Sequence, residues 1–476
     1  MPESSGSVKR TDPQSCTDRF RGGAVEGSGK MWYNLLVRDE EGRARIPGRA
    51  QQNVMRRQWY RLDNAALIFP AVMRKNWNNV FRVSVTLKEK VDPEILSRAA
   101  EDLLPRFPTV FVRLRTGFFW YYLETTGEAP KAEEDYAWPL TPMSRRKLKK
   151  CCIRILYYQN RIAVEFFHSV TDGTGGMAFV QNLAARYLTL KEGILIPPEG
   201  NILDPGEEPK PEETRDCFQL CGAKASVSRA EESAYRLRGN PEEDLFRHIV
   251  TGILPTDILL GKAHEQGVTV TAYLAAVMAE AVLARQREDR FPGRRRHIKI
   301  TIPVNLRKTF GLNTLRNFTL AVNIGFDPRL GEYSHEEICR LMYHQLAAET
   351  IPQKMAGRVA TNVDLQRSLP LRLIPLPIKT LAMRLVYAVS GESKGCLNIS
   401  NMGVVTLPDV MAPYVERFDF IIGVQYSYPN NCSVVSWQGK TYISMIRGIR
   451  DSELERLFFS RLVELGIPVD IESNRR

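Results

Sequence analysis

A chain of 476 residues with 43% hydrophobic content can bury a large core, and its length alone allows roughly two to four domains. The charged fraction of 25% is that of an ordinary soluble globular protein, while the formal charge of +12 favours anionic partners: nucleic acid, anionic lipid or a phosphorylated small molecule. The basic residues are not interleaved with aromatics in an RNA-binding signature and no zinc-finger spacing occurs, which argues against nucleic acid.

Eight cysteines (Cys16, Cys151, Cys152, Cys217, Cys221, Cys339, Cys396 and Cys432) are scattered without a framework, a pattern expected of reduced thiols in the cytoplasm. Cys217 and Cys221 have no matching second pair, so no metal site is expected. Residues 1–54 are rich in Gly, Ser, Arg and Glu and lack an apolar run of signal-peptide length, which reads as a disordered lead-in. A first lobe is expected over 55–190. Phe81, Val83, Val85 and Leu87 alternate with polar residues, predicting a half-buried strand over 79–88. Asp92 caps a helix with Pro93 at its first position, striped by Ile95, Leu96, Ala99, Ala100, Leu103 and Leu104. Two strands follow over 109–115 and 118–124, broken at Gly117. The aromatic run Phe118 to Tyr122 is expected at buried sheet positions, with the lining of a pocket as the alternative.

Runs 152–158 and 161–167 flank Gln159-Asn160 and predict a hairpin. His168 falls where the second strand ends. Beyond it Gly173, Gly175 and Gly176 loosen the backbone before an amphipathic helix over 175–190. An imidazole on such a strand-to-helix loop titrates near neutrality and can take a proton from a bound hydroxyl or amine. Asp172, followed by Gly173, can aim its carboxylate back into the protein, as an orienting acid does.

Residues 191–243 carry Pro197, Pro198, Pro205, Pro209 and Pro211 among many glutamates, predicting a surface crossover between halves. A second lobe over 244–476 opens with a short helix over 254–266 and then Gly267-Val268-Thr269-Val270-Thr271, where Thr271 is placed to cap an alanine-rich helix over 272–285. Residues 297–307 read as a strand running into a loop at Arg307, a side chain equally at home facing solvent. Ser334-His335-Glu336-Glu337 has the form of a capping box, which makes His335 and His344 helix residues rather than ligands. The hydrophobic stretch 369–389 holds three prolines, Arg372, Lys379 and Arg384. That composition argues against a membrane span and for a broken helix packed in the core or touching a surface, with a peripheral membrane contact as the less favoured alternative. Ser400-Asn401-Met402-Gly403 precedes Leu407-Pro408, and strands over 418–426, 432–438 and 441–447 lead to a last helix capped by Asp451. The basic runs Arg145 to Lys150 and Arg294 to His297 read as solvated flanks of strands, with phosphates of a small molecule or an anionic membrane as the alternative partners. No G-x-S-x-G nucleophile motif occurs.

The run His168-Ser169-Val170-Thr171-Asp172-Gly173 resembles the H-x-x-x-D-G motif of acyl-CoA-dependent acyltransferases with a chloramphenicol acetyltransferase-like fold, a group including alcohol acetyltransferases, plant BAHD enzymes and peptide-synthetase condensation domains. The order of elements up to residue 190, the Gly-Val-Thr-Val-Thr segment and the Ser400-Asn401 loop resemble the same family, over about residues 55–465. The resemblance implies an α/β, two-lobed fold with mixed sheets and flanking helices, and an active centre in a tunnel between the lobes. It implies His168 as base, Arg307 pairing with Asp172 to shape the loop with Gly173, and Ser400 or Asn401 stabilising an oxyanion. Acyl-CoA is the implied co-substrate, with no tightly bound cofactor, and a small alcohol or amine the acceptor. Many members have two successive histidines where this chain has Phe167-His168. A condensation-type enzyme acting on carrier-bound acyl groups, or a catalytically silent binding protein, are the alternative readings.

Overall fold

The computed structural model describes residues 57–474 apart from 75–76, 78, 137, 224–226, 228–230, 290–295, 388–392 and 426–427, together with two short strands, Val37–Arg38 and Ala44–Arg45. Most of the lead-in over 1–54 and the basic run's Arg294 and Arg295 lie outside the described residues.

Two hydrophobic cores organise the chain from residue 57 onward. The first gathers side chains mostly from residues 62–203 and the second mostly from 217–467. Under the first core runs a five-stranded sheet in the order Val415–Ile422, Val80–Leu87, Arg161–Phe167, Ile153–Tyr158, Glu133–Glu134. The expected hairpin is there: Tyr158 pairs with Arg161 across Gln159-Asn160, and Gln159 takes a positive φ of 50° to close the turn. Its edge was not foreseen. The strand Val415–Ile422, from the second half of the sequence, adds antiparallel to Val80–Leu87, so one sheet is built from both halves.

The second core lies against a seven-stranded mixed sheet, ordered Thr319–Phe326, Ile298–Asn305, Leu397–Val404, Asn430–Trp437, Lys440–Arg447, His248–Pro255, Asp470–Ser473. Trp437 pairs with Lys440 across Gln438-Gly439, both at positive φ, the backbone twist that suits a two-residue hairpin. The alanine-rich helix runs Val270–Arg287 and is capped by Thr269, whose side chain accepts from the Ala272 amide. Thr271 sits two residues too late for the capping expected of it, already inside the helix. The Ser334 capping box forms with Glu337. Residues 191–243 are not wholly superficial: Cys217, Phe218, Tyr235 and Leu237 are buried, and Glu213 takes both terminal nitrogens of the buried Arg106 at 2.6 and 2.9 Å.

The aromatic run departs most from expectation. The strands are Val112–Thr116 and Tyr121–Thr125, which leaves Phe118 and Phe119 on the hairpin tip, 72% and 37% exposed. The first strand ends one residue past its expected end and the second begins three residues late, at Tyr121, so the tip lies outside the sheet.

Candidate active site

The strand Arg161–Phe167 delivers His168 to the end of the first sheet, where its amide donates to the Asn79 carbonyl at 2.9 Å. Alternation along the strand buries Phe167 completely in the first core, and the next residue emerges half-buried. The imidazole sits between the rings of Phe69 and Phe81, with centroids at 4.8 and 5.0 Å. Burial against these rings disfavours the imidazolium and lowers the pKa of His168, although Asp172 and Asn317 oppose the shift. At neutral pH the ring is an unprotonated base.

Asp172 is the N-cap of the helix Gly173–Glu192 and accepts from the Gly175 amide at 3.1 Å. Its other contacts come from the second half of the chain. Arg307 approaches with its planar fork, Nη1 to Oδ2 at 2.8 Å and Nη2 to Oδ1 at 3.0 Å, and the Phe318 amide and Thr319 hydroxyl donate to Oδ2 at 2.8 and 2.9 Å. Burial would raise this carboxyl, but the Arg307 charge and the hydrogen bonds outweigh it and hold Asp172 below the usual carboxylate range. Arg307 is itself tied to the Thr314 and Arg316 carbonyls. The pair staples the segment 314–319 against the histidine loop.

Glycine serves close approach here rather than looseness. A Cβ on Gly175 would stand 2.3 Å from the Leu315 carbonyl oxygen and 2.2 Å from Thr171 Oγ1, a backbone clash that cannot be relieved by a rotamer change. We expect Gly175→Ala to destabilise the protein by about 1–3 kcal/mol, measurable as a lower urea midpoint. An unchanged midpoint would mean that the 314–319 segment does not seat against this helix start.

Two residues not singled out from the sequence complete the arrangement. Asn317 places Oδ1 3.1 Å from His168 Nδ1, and its Nδ2 donates to Asp63 Oδ2 at 3.1 Å. Asp63 is fully buried, and that burial lifts its carboxyl to about 7 against the pull of Arg316. Because Asp63 takes the amide N–H, Oδ1 is left facing the imidazole, so Nδ1 carries the ring proton and the lone pair resides on Nε2. In the sequence the only hint of Asn317 is its place just ahead of the alternating strand Thr319–Phe326, whose pairing Asn305↔Thr319 brings it beside the Arg307 turn.

Of the other expected residues, Gly173 packs under Met402 and Phe420, which brings the strand Leu397–Val404 to the motif loop. On that strand Asn401 spends its amide on neighbours: Nδ2 donates to Thr271 Oγ1 at 3.1 Å and Oδ1 accepts from the Gly403 amide at 2.8 Å. Ser400 pairs in parallel with Ser433. A cavity of about 770 Å³ lies along one face of the first sheet, lined by Arg82, Asp135, Arg161, Arg417 and Asp419 among others. Its charges already pair with one another, as Arg82 with Asp135 and Arg417 with Asp419. Among the described residues no group of three or more His, Cys, Asp or Glu could hold a metal ion.

No protein-family model and no curated protein matches the sequence. Solved structures match over most of its length. TRI101 of F. graminearum, complexed with ethyl coenzyme A, aligns with a TM-score of 0.58 over 84% of this chain and 96% of its own, at 11% identity. TRI3, a trichothecene 15-O-acetyltransferase from Fusarium sporotrichioides, aligns at 0.56 over 87% and 96%, at 12% identity. The chain has the two-lobed chloramphenicol acetyltransferase-like fold. The nonribosomal peptide synthetase FmoA3 aligns at 0.54 over 86% of this chain and 42% of its own, at 12% identity. Within this chloramphenicol acetyltransferase-like frame, His168 comes from the first half of the chain and its orienting amide from the second.

Proposed function

We propose that this chain is an acyltransferase moving an acyl group, acetyl in the simplest case, from acyl-CoA to the hydroxyl of a small-molecule acceptor without a covalent enzyme intermediate. The observation that carries this is the chain of contacts from Asp63 through Asn317 to His168, which leaves an unprotonated Nε2 on a half-buried ring. Nε2 takes the acceptor's O–H proton as the oxygen attacks the thioester carbonyl carbon; the C–S bond then breaks, and the imidazolium returns the proton to the departing thiolate. Ser400 on the neighbouring strand, or Asn401 through the one Nδ2 proton that Thr271 does not take, is the polar group assigned to the tetrahedral oxyanion. The solved structures of the fold with coenzyme A support acyl-CoA as co-substrate, and the basic surface suits its phosphates.

The likeness to FmoA3 keeps a second reading, condensation of carrier-bound acyl groups. The silent-protein reading rested on Phe167, and that side chain is buried in the core, where a histidine would not reach the reacting atoms.

Thiol release from acetyl-CoA with a panel of alcohols tests the first reading. Release that depends on the alcohol is the expected result; release only from carrier-bound thioesters favours condensation, and none from either contradicts acyl transfer. Because burial lowers the His168 pKa, the acid limb of kcat/KM is expected to fall below the usual histidine value of about 6.5. Asn317→Ala frees the ring to adopt either tautomer, and we expect kcat/KM, measured well below the melting temperature, to drop roughly tenfold to a hundredfold, the size of comparable orienting contacts, alongside a lower melting temperature because the buried Asp63 loses a donor.

A further inference from the structure

The stretch 369–389 forms the broken helix its prolines imply, Leu369–Leu373 followed by Leu376–Val386, but the second piece is turned inside out. A surface helix ordinarily buries its apolar stripe and shows its charges to water. Here Lys379 is 4% exposed, its ammonium 3.3 Å from the centroid of the Trp120 ring and donating to the Phe119 carbonyl at 3.1 Å. Ile378, Leu381 and Leu385, spaced to share one helical face, are 62%, 60% and 61% exposed. Leu369 and Leu373 on the preceding turn are 69% and 70% exposed, and Phe118, whose carbonyl accepts the Leu376 amide, is 72% exposed. A buried cation with a row of leucines in water is the reverse of what a fully solvated face would select.

The surroundings are of one sign. From 369 to 389 there is no Asp or Glu. Arg384 Nε donates to the Ala71 carbonyl at 2.7 Å, and Arg145 reaches the adjacent Pro70 carbonyl and the Tyr121 hydroxyl, so the basic turn Arg145–Leu148 stands beside the apolar helix. Arg145, Arg146, Lys147, Lys149, Lys150 and Arg384 are exposed, and none has an ion-pair partner among the described residues. A second copy docking here would set one cationic rim against another, on a chain already at +12. An anionic bilayer takes both features, leucines at the acyl boundary and cations at the phosphates. The helix Leu376–Val386 has 11 residues, about half of what a span needs, and no single helix among the described residues is long and apolar enough to cross a membrane.

We propose that the helix Leu376–Val386, with the Phe118-Phe119 tip, lies in the plane of an anionic lipid surface, and that the Arg145–Lys150 turn binds the headgroups beside it. Flotation of the full chain with vesicles of phosphatidylcholine, alone or mixed with phosphatidylserine, tests this. The protein is expected to float with the mixed vesicles and to do so less as salt rises. The triple substitution Ile378→Ser, Leu381→Ser, Leu385→Ser is expected to weaken vesicle binding at least about tenfold, with a circular dichroism melt matching the wild type. Arg146→Glu with Lys147→Glu, which leaves the apolar face intact, is expected to weaken it by about tenfold or more. The proposal is overturned if the wild type does not float, if both variants float as it does, or if light scattering finds a dimer that the serine substitutions dissociate.

Discussion

His168→Ala is expected to reduce thiol release from acetyl-CoA by about a hundredfold to ten-thousandfold, the range for removal of a positioned general base, with little change in KM for the thioester. The ring is half-buried between Phe69 and Phe81, so its truncation also costs some packing, a modest loss of stability beside the loss of rate. What it removes is the one lone pair that Asn317 and Asp63 hold ready. Steady-state kinetics and a thermal melt on the same sample separate loss of chemistry from loss of structure. Full retention of rate would remove the base from the mechanism, and a collapse in melting temperature would make the histidine a packing residue.

The second large effect is structural. Arg307→Leu leaves the Asp172 carboxylate 3% exposed with its bidentate partner gone, and breaking a buried pair from one side costs about 3–5 kcal/mol. It also orphans the Thr314 and Arg316 carbonyls that Arg307 now satisfies. Denaturant unfolding should show this loss at neutral pH. The pH dependence has a definite sign. Asp172 is held below its ordinary value in the folded protein, so its stabilising contribution is present above the unfolded carboxyl value of about 3.9 and is lost as pH falls through the folded value. In the Arg307→Leu variant that acid-side loss should shrink, because protonating an unpartnered buried carboxyl relieves it. Asp172→Asn combined with Arg307→Leu should cost less than the sum of the two single changes. Additive losses would mean that the two side chains stabilise the loop independently.

Much of this centre was legible one residue at a time because its signals are local. A two-residue turn followed by alternation placed His168 at a strand end, and the Asp-Gly step gave the carboxylate its inward direction. The pairing of Asp172 with Arg307, 135 positions apart, came from the motif resemblance, since nothing local in Asn305-Leu306-Arg307 tells a buried fork from a solvent-facing one. Asn317 and Asp63 had no such aid. Their importance arises from a register, Asn305 opposite Thr319, and from a burial that only the folded chain creates. The strand Val415–Ile422 was readable as a strand, but sequence alternation does not say which sheet it joins. Phe118 and Phe119 went the other way: aromatic residues read as core, and the late start of the second strand, at Tyr121 rather than Phe118, put them in solvent. The inverted helix shows the same limit, since composition foretold its break at the prolines but not which face Lys379 would choose.

A crystal structure of the full chain with coenzyme A bound tests the central claim most directly. The thiol sulfur is expected on the Nε2 side of His168, close enough for proton return either directly, at roughly 3–3.5 Å, or through the acceptor oxygen between them. A sulfur bound instead in the cavity along the face of the first sheet, near Arg161 and Asp135, or an imidazole with Nε2 engaged by protein and Nδ1 turned to the ligand, would contradict it.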